Sequence, residues 1–204
     1  MTIAMIEIAD LLQVQDPIAL FSQWYQTVET AGQSMPEAMA LATANRNGHP
    51  SVRFVLLKEV SSGGFCFFTN YNSRKASDLD DNPWAALAFH WVVVGRQVRV
   101  CGPVEKLSME ENAAYAHTRP RDSQIGAWAS KQSQPLLNDA ELSQRFASIE
   151  EKFLNQEIPC PPFWGGYRVI PYEIEFWINR ADRLHDRIVF RRKDQLWSLQ
   201  RLFP

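Results

Sequence analysis

The chain has 204 residues, 46% of them hydrophobic and seven of them tryptophan, which is enough apolar material for the core of one large domain. Its formal net charge of -2 provides no overall positive field, so the composition argues against nucleic acid or an anionic membrane as a partner. Basic residues cluster locally instead, with five arginines between positions 180 and 192. Local basicity in a mildly acidic chain favours a small anionic ligand.

Three widely spaced cysteines, Cys66, Cys101 and Cys160, include no C-x-x-C pair and have no histidines at matching intervals. This spacing predicts neither a disulfide framework nor a metal site, and it fits the reducing cytoplasm. The start of the chain has acidic residues inside its apolar stretch and lacks the basic region of a signal peptide. No run of about 18 apolar residues is present, so we expect no membrane span.

Helix signals come first in the chain. Asp16 is a good N-cap, Pro17 is tolerated at the first helical position, and Gly32 is a suitable stop. Apolar residues between them recur on one face. We therefore expect an N-terminal helical segment over residues 1–35 and a β-rich body over residues 36–204, together forming a single domain.

Strand-like segments dominate the rest of the chain, and Asn47-Gly48 is a strong hairpin signal between the first two. The predicted strands cover residues 38–43, 51–60, 65–69, 84–94, 96–106, 167–170, 172–179, 187–192 and 196–202. Helices are expected near 74–79, from a capping box at 108–111 to a stop before Pro120, and over 139–154. Many short antiparallel strands with inserted helices predict a mainly β, α+β protein of the barrel kind, although the pattern alone does not separate a barrel from a sandwich.

Four segments place polar residues where packing alone does not require them. In the first, Arg53 and Lys58 lie five residues apart in one predicted strand, so a regular strand would direct them to opposite faces. Solvated basic strand ends are the simpler interpretation of that pair. The second segment, 68–75, leaves a strand and enters a helix with Ser73 near the N-cap. Free N–H groups at such a helix start, with Arg74 and Lys75 beside them, make a candidate phosphate site, although an ordinary capped helix has the same pattern.

The third segment has Tyr115, Arg119 and Ser123 at intervals of four. Tyr115 and Arg119 would share a helix face, and Ser123 would follow at the next turn. A phenol, a guanidinium and a hydroxyl that converge are suited to binding a phosphate, because arginine offers a bidentate fork. The alternative is an ordinary surface helix end.

The fourth segment is Trp177 followed by the run Arg-Leu-His-Asp-Arg at 183–187. Two arginines and a histidine in five residues are hard to explain by packing. If the segment is extended, Arg183, His185 and Arg187 point to one side and line one pocket, while the residues between them face away.

These four segments, together with Arg-Gln-Val-Arg-Val at 96–100 and Ser-Gln-Ile-Gly-Ala-Trp at 123–128, resemble the pyridoxine (pyridoxamine) 5'-phosphate oxidase family. The resemblance runs from about Met39 to residues 201–204, in the family's order and spacing. It implies an FMN-binding split β-barrel that forms a homodimer, with two flavins at the interface between the subunits.

The resemblance also assigns residues to the cofactor and to the substrate. For FMN it implies Arg53, Phe54, Val55, Leu56, Leu57, Lys58, Phe68, Thr69, Arg74, Lys75, Gln97, Gln132, Ser133, Trp177 and Arg187. For the substrate phosphate it implies Lys58, Tyr115, Arg119 and Ser123, and for the pyridine ring Arg183, Leu184 and His185. Arg183 and His185 are the implied catalytic residues, and no metal is implied. The family often has tyrosine at position 68.

The implied reaction oxidises pyridoxine or pyridoxamine 5'-phosphate at C4' to pyridoxal 5'-phosphate, with O2 as acceptor and H2O2 as product. The flavin takes the hydride, so the protein mainly orients the reactants and supplies electrostatics. Because the substrate phosphate is remote from C4', its binding energy is available to position the reacting carbon.

Three other functions fit parts of the sequence. A phenazine-biosynthesis-type flavin oxidase of the same fold would act on another reduced ring, but the phosphate-binding set of Lys58, Tyr115, Arg119 and Ser123 argues against it. Small barrels with aromatic and basic patches bind single-stranded nucleic acid, but this chain has no continuous basic stripe. A non-catalytic flavin or pyridoxal phosphate-binding protein would differ from an enzyme in showing no turnover with peroxide release.

Overall fold

The computed structural model describes residues 8–194 and 196–204, which form ten antiparallel strands, with two α-helices before them and four inserted between them. The strands are β1 (Ala38–Ala44), β2 (Pro50–Leu56), β3 (Glu59–Ser61), β4 (Gly64–Asn70), β5 (Trp84–Trp91), β6 (Arg96–Lys106), β7 (Trp164–Val169), β8 (Glu173–Ile178), β9 (Asp186–Lys193) and β10 (Leu196–Leu202). The helices are α1 (Ile8–Leu11), α2 (Pro17–Thr30), α3 (Arg74–Asp81), α4 (Met109–Thr118), α5 (Arg121–Ala129) and α6 (Asp139–Lys152). The predicted class, mainly β with inserted helices, is confirmed.

Local signals set the helix ends where the sequence predicts them. The side chain of Asp16 accepts hydrogen bonds from the backbone N–H groups of Ile18 (2.8 Å) and Ala19 (3.2 Å), and Pro17 is the first residue of α2. Gly32 follows the C-cap with φ +76°, a left-handed conformation that glycine adopts without strain. Helix α4 begins at the expected capping box and ends at Thr118.

Strand β6 connects the two parts of the sheet. Its first residues pair with β8 and its last three with β7, while β5 pairs along most of its length. Between these halves, at Gly102, the β7–β8 connection passes so closely that a Cβ atom would lie 1.9 Å from the carbonyl oxygen of Ile170. The strand order β10-β9-β8-β6-β5-β1-β2 thus joins a second path, β6-β7-β4-β3, and the sheet curls into a half-barrel.

Two predicted strands are shorter than expected. The predicted strand 51–60 breaks after Leu56, because the backbone N–H of Lys58 donates to the carbonyl oxygen of Cys66 (2.9 Å) and the chain leaves β1 for β4. The predicted strand 84–94 ends at Trp91, and a single 3-10 turn leads to Gly95 at φ +61°.

Helix α2 closes the inner side of the half-barrel. Its Phe21 contacts Phe65 edge to face at 4.9 Å, and its Trp24 contacts Phe176 at 5.0 Å. All four rings are almost completely buried, and they anchor the N-terminal helix to the main core. No helix in the described parts of the chain is long and apolar enough to cross a membrane.

The outer side of the sheet is apolar and exposed near its β2 edge. There Val52 and Phe54 are 69% and 77% exposed, and strand β5 adds the exposed Ala86 and Ala88. Register places Phe54 opposite Ala40, Ala40 opposite Ala88, and Ala88 opposite Arg99, so one face continues from the β2 edge to β6. We call this side of the sheet the outer face.

Candidate active site

A cavity of about 810 Å³ opens between the β2 edge, the end of β4 and helices α3 to α5. Most residues that the family resemblance assigns to a ligand meet here, although they are far apart in sequence. Those lining the cavity are Arg53, Phe54, Val55, Leu56, Lys58, Phe68, Thr69, Lys75, Tyr115, Arg119, Ser123 and Gln132. Four of them are cationic, and no carboxylate from the described residues is among the lining groups.

Arg53 and Lys58 both line this cavity, and the alternation expected of a regular strand does not apply to the pair. The period-two rule holds only within one regular strand, and β2 ends at Leu56. The break turns the Lys58 side chain back toward the cavity. The neighbouring Leu57 continues the inward side of β2: its side chain is 8% exposed in the core and does not line the cavity.

One end of the cavity is built around a buried ammonium group. Lys75 Nζ donates to Thr69 Oγ1 (3.1 Å), Ser73 Oγ (3.2 Å) and Gln132 Oε1 (2.9 Å), all of them neutral oxygens. Burial, with a smaller contribution from nearby Arg53, lowers the pKa of Lys75 to about 8. A buried ammonium group that has no carboxylate partner among the described residues is a favourable place for an anionic ligand.

Helix α3 begins at this same end of the cavity. Ser73 is its N-cap residue but makes no side-chain capping bond, because its hydroxyl accepts from Lys75 instead. The backbone N–H of Arg74 donates to Ser133 Oγ (3.3 Å), and Ser133 itself has φ +71°. Arg74 and Ser133 therefore sit at the helix start without lining the cavity, and the positive end of the helix faces the same region as Lys75.

A network behind the cavity wall holds the guanidinium of Arg53. Its Nη1 donates to the carbonyl oxygen of Leu41 (3.1 Å) and to Thr43 Oγ1 (2.8 Å), while Nη2 lies 3.6 Å from the carboxylate of Asp78. Thr43 in turn donates to that carboxylate (2.6 Å). Because Asp78 belongs to α3, this network joins the helix to strands β1 and β2.

The other end of the cavity is aromatic and basic. The rings of Phe68 and Tyr115 stack with centroids 3.8 Å apart, and the Arg119 guanidinium lies 4.5 Å from the ring centroid of Trp164. Burial lowers the pKa of Arg119 and raises that of Tyr115. Tyr115, Arg119 and Ser123 converge as expected, but across a break, since α4 ends at Thr118 and α5 begins at Arg121.

A second cluster lies on the outer face, away from the cavity lining. Gln97 and Trp177 are directly opposite each other on β6 and β8, and Trp177 is opposite Arg187 on β9. Arg187 donates to the Glu175 carboxylate through Nε (2.8 Å) and Nη2 (3.2 Å), and Arg99 contacts the same carboxylate. Burial raises the pKa of Glu175, but hydrogen bonds from the two arginines outweigh it and the net pKa is lowered.

The segment before β9 is not extended, so the expectation that Arg183, His185 and Arg187 line one pocket by strand alternation is wrong. Asp182 and Arg183 have φ values of +56° and +61° within a 3-10 turn. His185 accepts a hydrogen bond at Nδ1 from the Arg180 backbone (3.2 Å), and its ring lies 4.5 Å from that of Trp177. His185 thus contacts the outer cluster through Trp177, and Arg183, Leu184 and His185 do not line the cavity.

Sequence reasoning did not identify several residues that complete the cavity. They are Asn70, Pro120, Gly126, Ala127, Ser130 and Trp164. Trp164 had a usable signal, because it is an aromatic residue that begins a strand soon after a proline-rich break. Asp78 and Thr43 had none, because they are 35 residues apart and meet only through the fold.

Comparison with known proteins gives consistent matches along the chain. Residues 30–153 match the family model described as pyridoxamine 5'-phosphate oxidase. Residues 164–204 match the model described as the pyridoxine 5'-phosphate oxidase C-terminal dimerisation region. Two proteins named pyridoxine/pyridoxamine 5'-phosphate oxidase illustrate the similarity. The one from Psychromonas ingrahamii is 52% identical over 98% of this chain and 92% of its own, and the one from Deinococcus deserti is 51% identical over 93% and 89%.

Solved structures share the fold. PhzG from Burkholderia lata, in complex with tetrahydrophenazine-1-carboxylic acid, superposes with a TM-score of 0.92 at 30% identity over 98% of both chains. A pyridoxamine 5'-phosphate oxidase-related, FMN-binding protein from Nostoc punctiforme superposes with a TM-score of 0.77 at 18% identity over 94% of this chain and all of its own. The predicted split β-barrel is therefore confirmed. With about half of its residues identical to named oxidases over nearly its full length, this chain belongs to the pyridoxine/pyridoxamine 5'-phosphate oxidase family.

Proposed function

We propose that this chain oxidises pyridoxine 5'-phosphate or pyridoxamine 5'-phosphate to pyridoxal 5'-phosphate, with FMN as cofactor, O2 as acceptor and H2O2 as product. The observation that carries the proposal is the charge of the cavity. Arg53, Lys58, Lys75 and Arg119 line it, and no acidic group of the described chain lines it with them. A cavity lined by four cations, of which only Arg53 is paired with a carboxylate of the described residues, is suited to ligands bearing phosphate groups.

The two ends of the cavity fit two different phosphates. Lys75 and the start of α3 would hold the FMN phosphate, because the ammonium there is buried among neutral oxygens only. Lys58, Arg119 and the hydroxyls of Tyr115 and Ser123 would hold the substrate phosphate at the other end. In the described residues neither Lys58 Nζ nor the Arg119 guanidinium, which lies over the Trp164 ring, has a hydrogen-bonded or carboxylate partner, so both are available to a ligand.

The apolar wall between these ends fits the flavin ring. Phe54, Val55 and Leu56 form a strand edge along the cavity, and Phe68 is fixed by its stack on Tyr115. FMN held by these residues would supply the hydride acceptor for C4' of the substrate. The residues of the chain bind both partners at their phosphates, and this fixes the distance and angle between the reacting atoms. Phenylalanine at position 68 keeps the aromatic surface without the hydroxyl that the family often has there.

We further propose that the site is completed by a second copy of the chain. Gln97, Trp177, Arg183, His185 and Arg187 lie on or beside the outer face and away from the cavity of their own chain. That face continues without interruption to the exposed β2 edge, which forms one wall of the cavity. A homodimer packed through the outer faces would therefore bring the second cluster of one subunit to the cavity of the other. The match of residues 164–204 to a dimerisation region supports this arrangement.

The phenazine-type alternative has less support. The PhzG structure has the same fold but is 30% identical, whereas proteins named as vitamin B6 phosphate oxidases are about 50% identical. The phosphate-binding set at the substrate end is present in full. We also propose a cytoplasmic location, because Cys66, Cys101 and Cys160 are all free thiols.

The function is tested by the absorption spectrum of the purified protein. We expect flavin bands that bleach when pyridoxine 5'-phosphate is added without oxygen and that return on aeration, with one H2O2 released per aldehyde formed. A flavin that binds the compound without bleaching would identify a carrier instead of an oxidase.

The substrate end is tested by Arg119→Ala. Removing one charged partner of a desolvated phosphate should weaken pyridoxine 5'-phosphate binding by about 2–5 kcal/mol, seen as a higher KM, while FMN stays bound. Unphosphorylated pyridoxine is the matched control, because it lacks the group that Arg119 would contact. If the variant affects both compounds equally, Arg119 does not bind the phosphate.

The cofactor end is tested by the pH dependence of FMN release. At pH 7 Lys75 is charged, and as pH rises through its pKa of about 8 the free protein loses that charge. The FMN phosphate remains dianionic throughout this range, so FMN affinity should fall between pH 7 and pH 9, and binding near pH 8 should take up a proton. Dilution of the holoprotein with detection of flavin fluorescence measures the affinity. Lys75→Met should bind weakly without this pH dependence, and a wild-type affinity that is equal at both pH values would refute the assignment.

Sharing of the site between subunits is tested by mixed dimers of Lys75→Met and Arg187→Ala chains, isolated with two different tags. Each variant alone should be nearly inactive. In the mixed dimer one site would carry both defects and the other none, so about half of the wild-type activity should return. Mixed dimers as inactive as their parents would show that Lys75 and Arg187 serve the same chain.

A further inference from the structure

We propose that Glu175 is a positioning residue that, together with the backbone carbonyl of Phe203, fixes the guanidinium of Arg187 for contact with the flavin. The inference rests on the proposed function, in which Arg187 meets the cofactor held in the cavity of a second copy. It assigns a role to a carboxylate that the family resemblance does not place in the site.

The geometry of Arg187 leaves it one orientation. Its Nε and Nη2 donate to the two oxygens of Glu175, at 2.8 and 3.2 Å, in a bidentate pair. Its Nη1 donates to the carbonyl oxygen of Phe203 at 3.1 Å, on the opposite edge of the group. A guanidinium has five N–H bonds, so these three contacts hold both edges and leave about two N–H bonds for a ligand.

The charge of the cluster favours an anionic or electron-rich ligand. Glu175 is 3% exposed, and a carboxylate so deeply buried is stable only with cationic partners. It has two, since Arg99 contacts the same carboxylate from the neighbouring strand β6. Two arginines on one carboxylate leave a net charge of +1, so Glu175 orients Arg187 without cancelling the positive charge of the cluster.

Strand β8 provides a matched control two residues away. Glu173 lies on the same face as Glu175 and accepts a hydrogen bond from Arg191 Nε at 2.7 Å. Both are Glu–Arg ion pairs between β8 and β9, but the Glu173 pair has one hydrogen bond in place of two and a more exposed carboxylate. Arg191 is not among the residues assigned to a ligand, so Glu173→Gln reports what the loss of such a pair does by itself.

The experiment measures the rate of FMN release from diluted holoprotein, by the recovery of flavin fluorescence, and the melting temperature of each variant. Glu175→Gln keeps the size of the side chain but weakens its hold on Arg187, and we expect FMN release about tenfold faster or more. Arg187→Ala should be at least as fast, and the double variant should be no faster than Arg187→Ala alone. Glu173→Gln should stay within about twofold of wild type.

Each result has a distinct meaning. If Arg187→Ala releases FMN at the wild-type rate, the assignment of Arg187 to the flavin fails, and the proposed function loses that contact. The positioning role is overturned, and the proposed function stands, if Arg187→Ala releases FMN fast but Glu175→Gln does not. The same holds if the two increases in release rate multiply in the double variant. If Glu173→Gln increases the rate of FMN release as much as Glu175→Gln does, the increase is a general consequence of lost charge, and the positioning role is again overturned.

A second variant covers the case in which Glu175→Gln does not fold. Phe203 is 93% exposed, so a chain ending at Leu202 loses little buried surface but lacks the carbonyl that holds Arg187 Nη1. It should also release FMN several-fold faster than wild type, with an unchanged melting temperature. Release at the wild-type rate from this shortened chain would count against the proposal.

Discussion

The buried ammonium of Lys75 is the constraint around which the cavity is organised. A charged group at that depth is stabilised only if polar atoms surround it, and strand β4, the start of α3 and the loop after α5 each supply one oxygen. None of these oxygens carries a charge. The protein thus holds a cation in place at a cost in folding free energy, which a bound phosphate would offset.

The outer cluster follows the opposite electrostatic rule. There the basic side chains are ion-paired within the chain: Arg187 and Arg99 with Glu175, Arg191 with Glu173, and Arg201 with Asp186. An ion-paired arginine keeps its orientation when no ligand is bound, because the carboxylate that holds it belongs to the same chain. In the proposed site the cavity would therefore supply most of the attraction for anions, and the outer cluster would hold its side chains in fixed orientations.

Local chemistry made much of the fold predictable. The cap at Asp16, the capping box at 108–111 and the hairpin signal at Asn47-Gly48 act over a few residues, and all three mark real boundaries. What failed depends on distant partners or on unusual backbone. The direction of the Lys58 side chain depends on the hydrogen bond from its backbone N–H to Cys66 in another strand. The turn at Asp182 has a positive φ, and no glycine in the sequence indicates it. The family resemblance assigns ligand roles to residues of both surfaces, but it does not indicate which surface each residue occupies.

The exposed β2 edge makes a single subunit prone to aggregation. An edge strand has unpaired backbone groups, and here its outward side chains, Val52 and Phe54, are also apolar and largely exposed. Such an edge is a template for non-native pairing with any other strand. In the proposed dimer a second copy would cover the outer face beside this edge, and the yield of soluble protein would then depend on how quickly two copies meet.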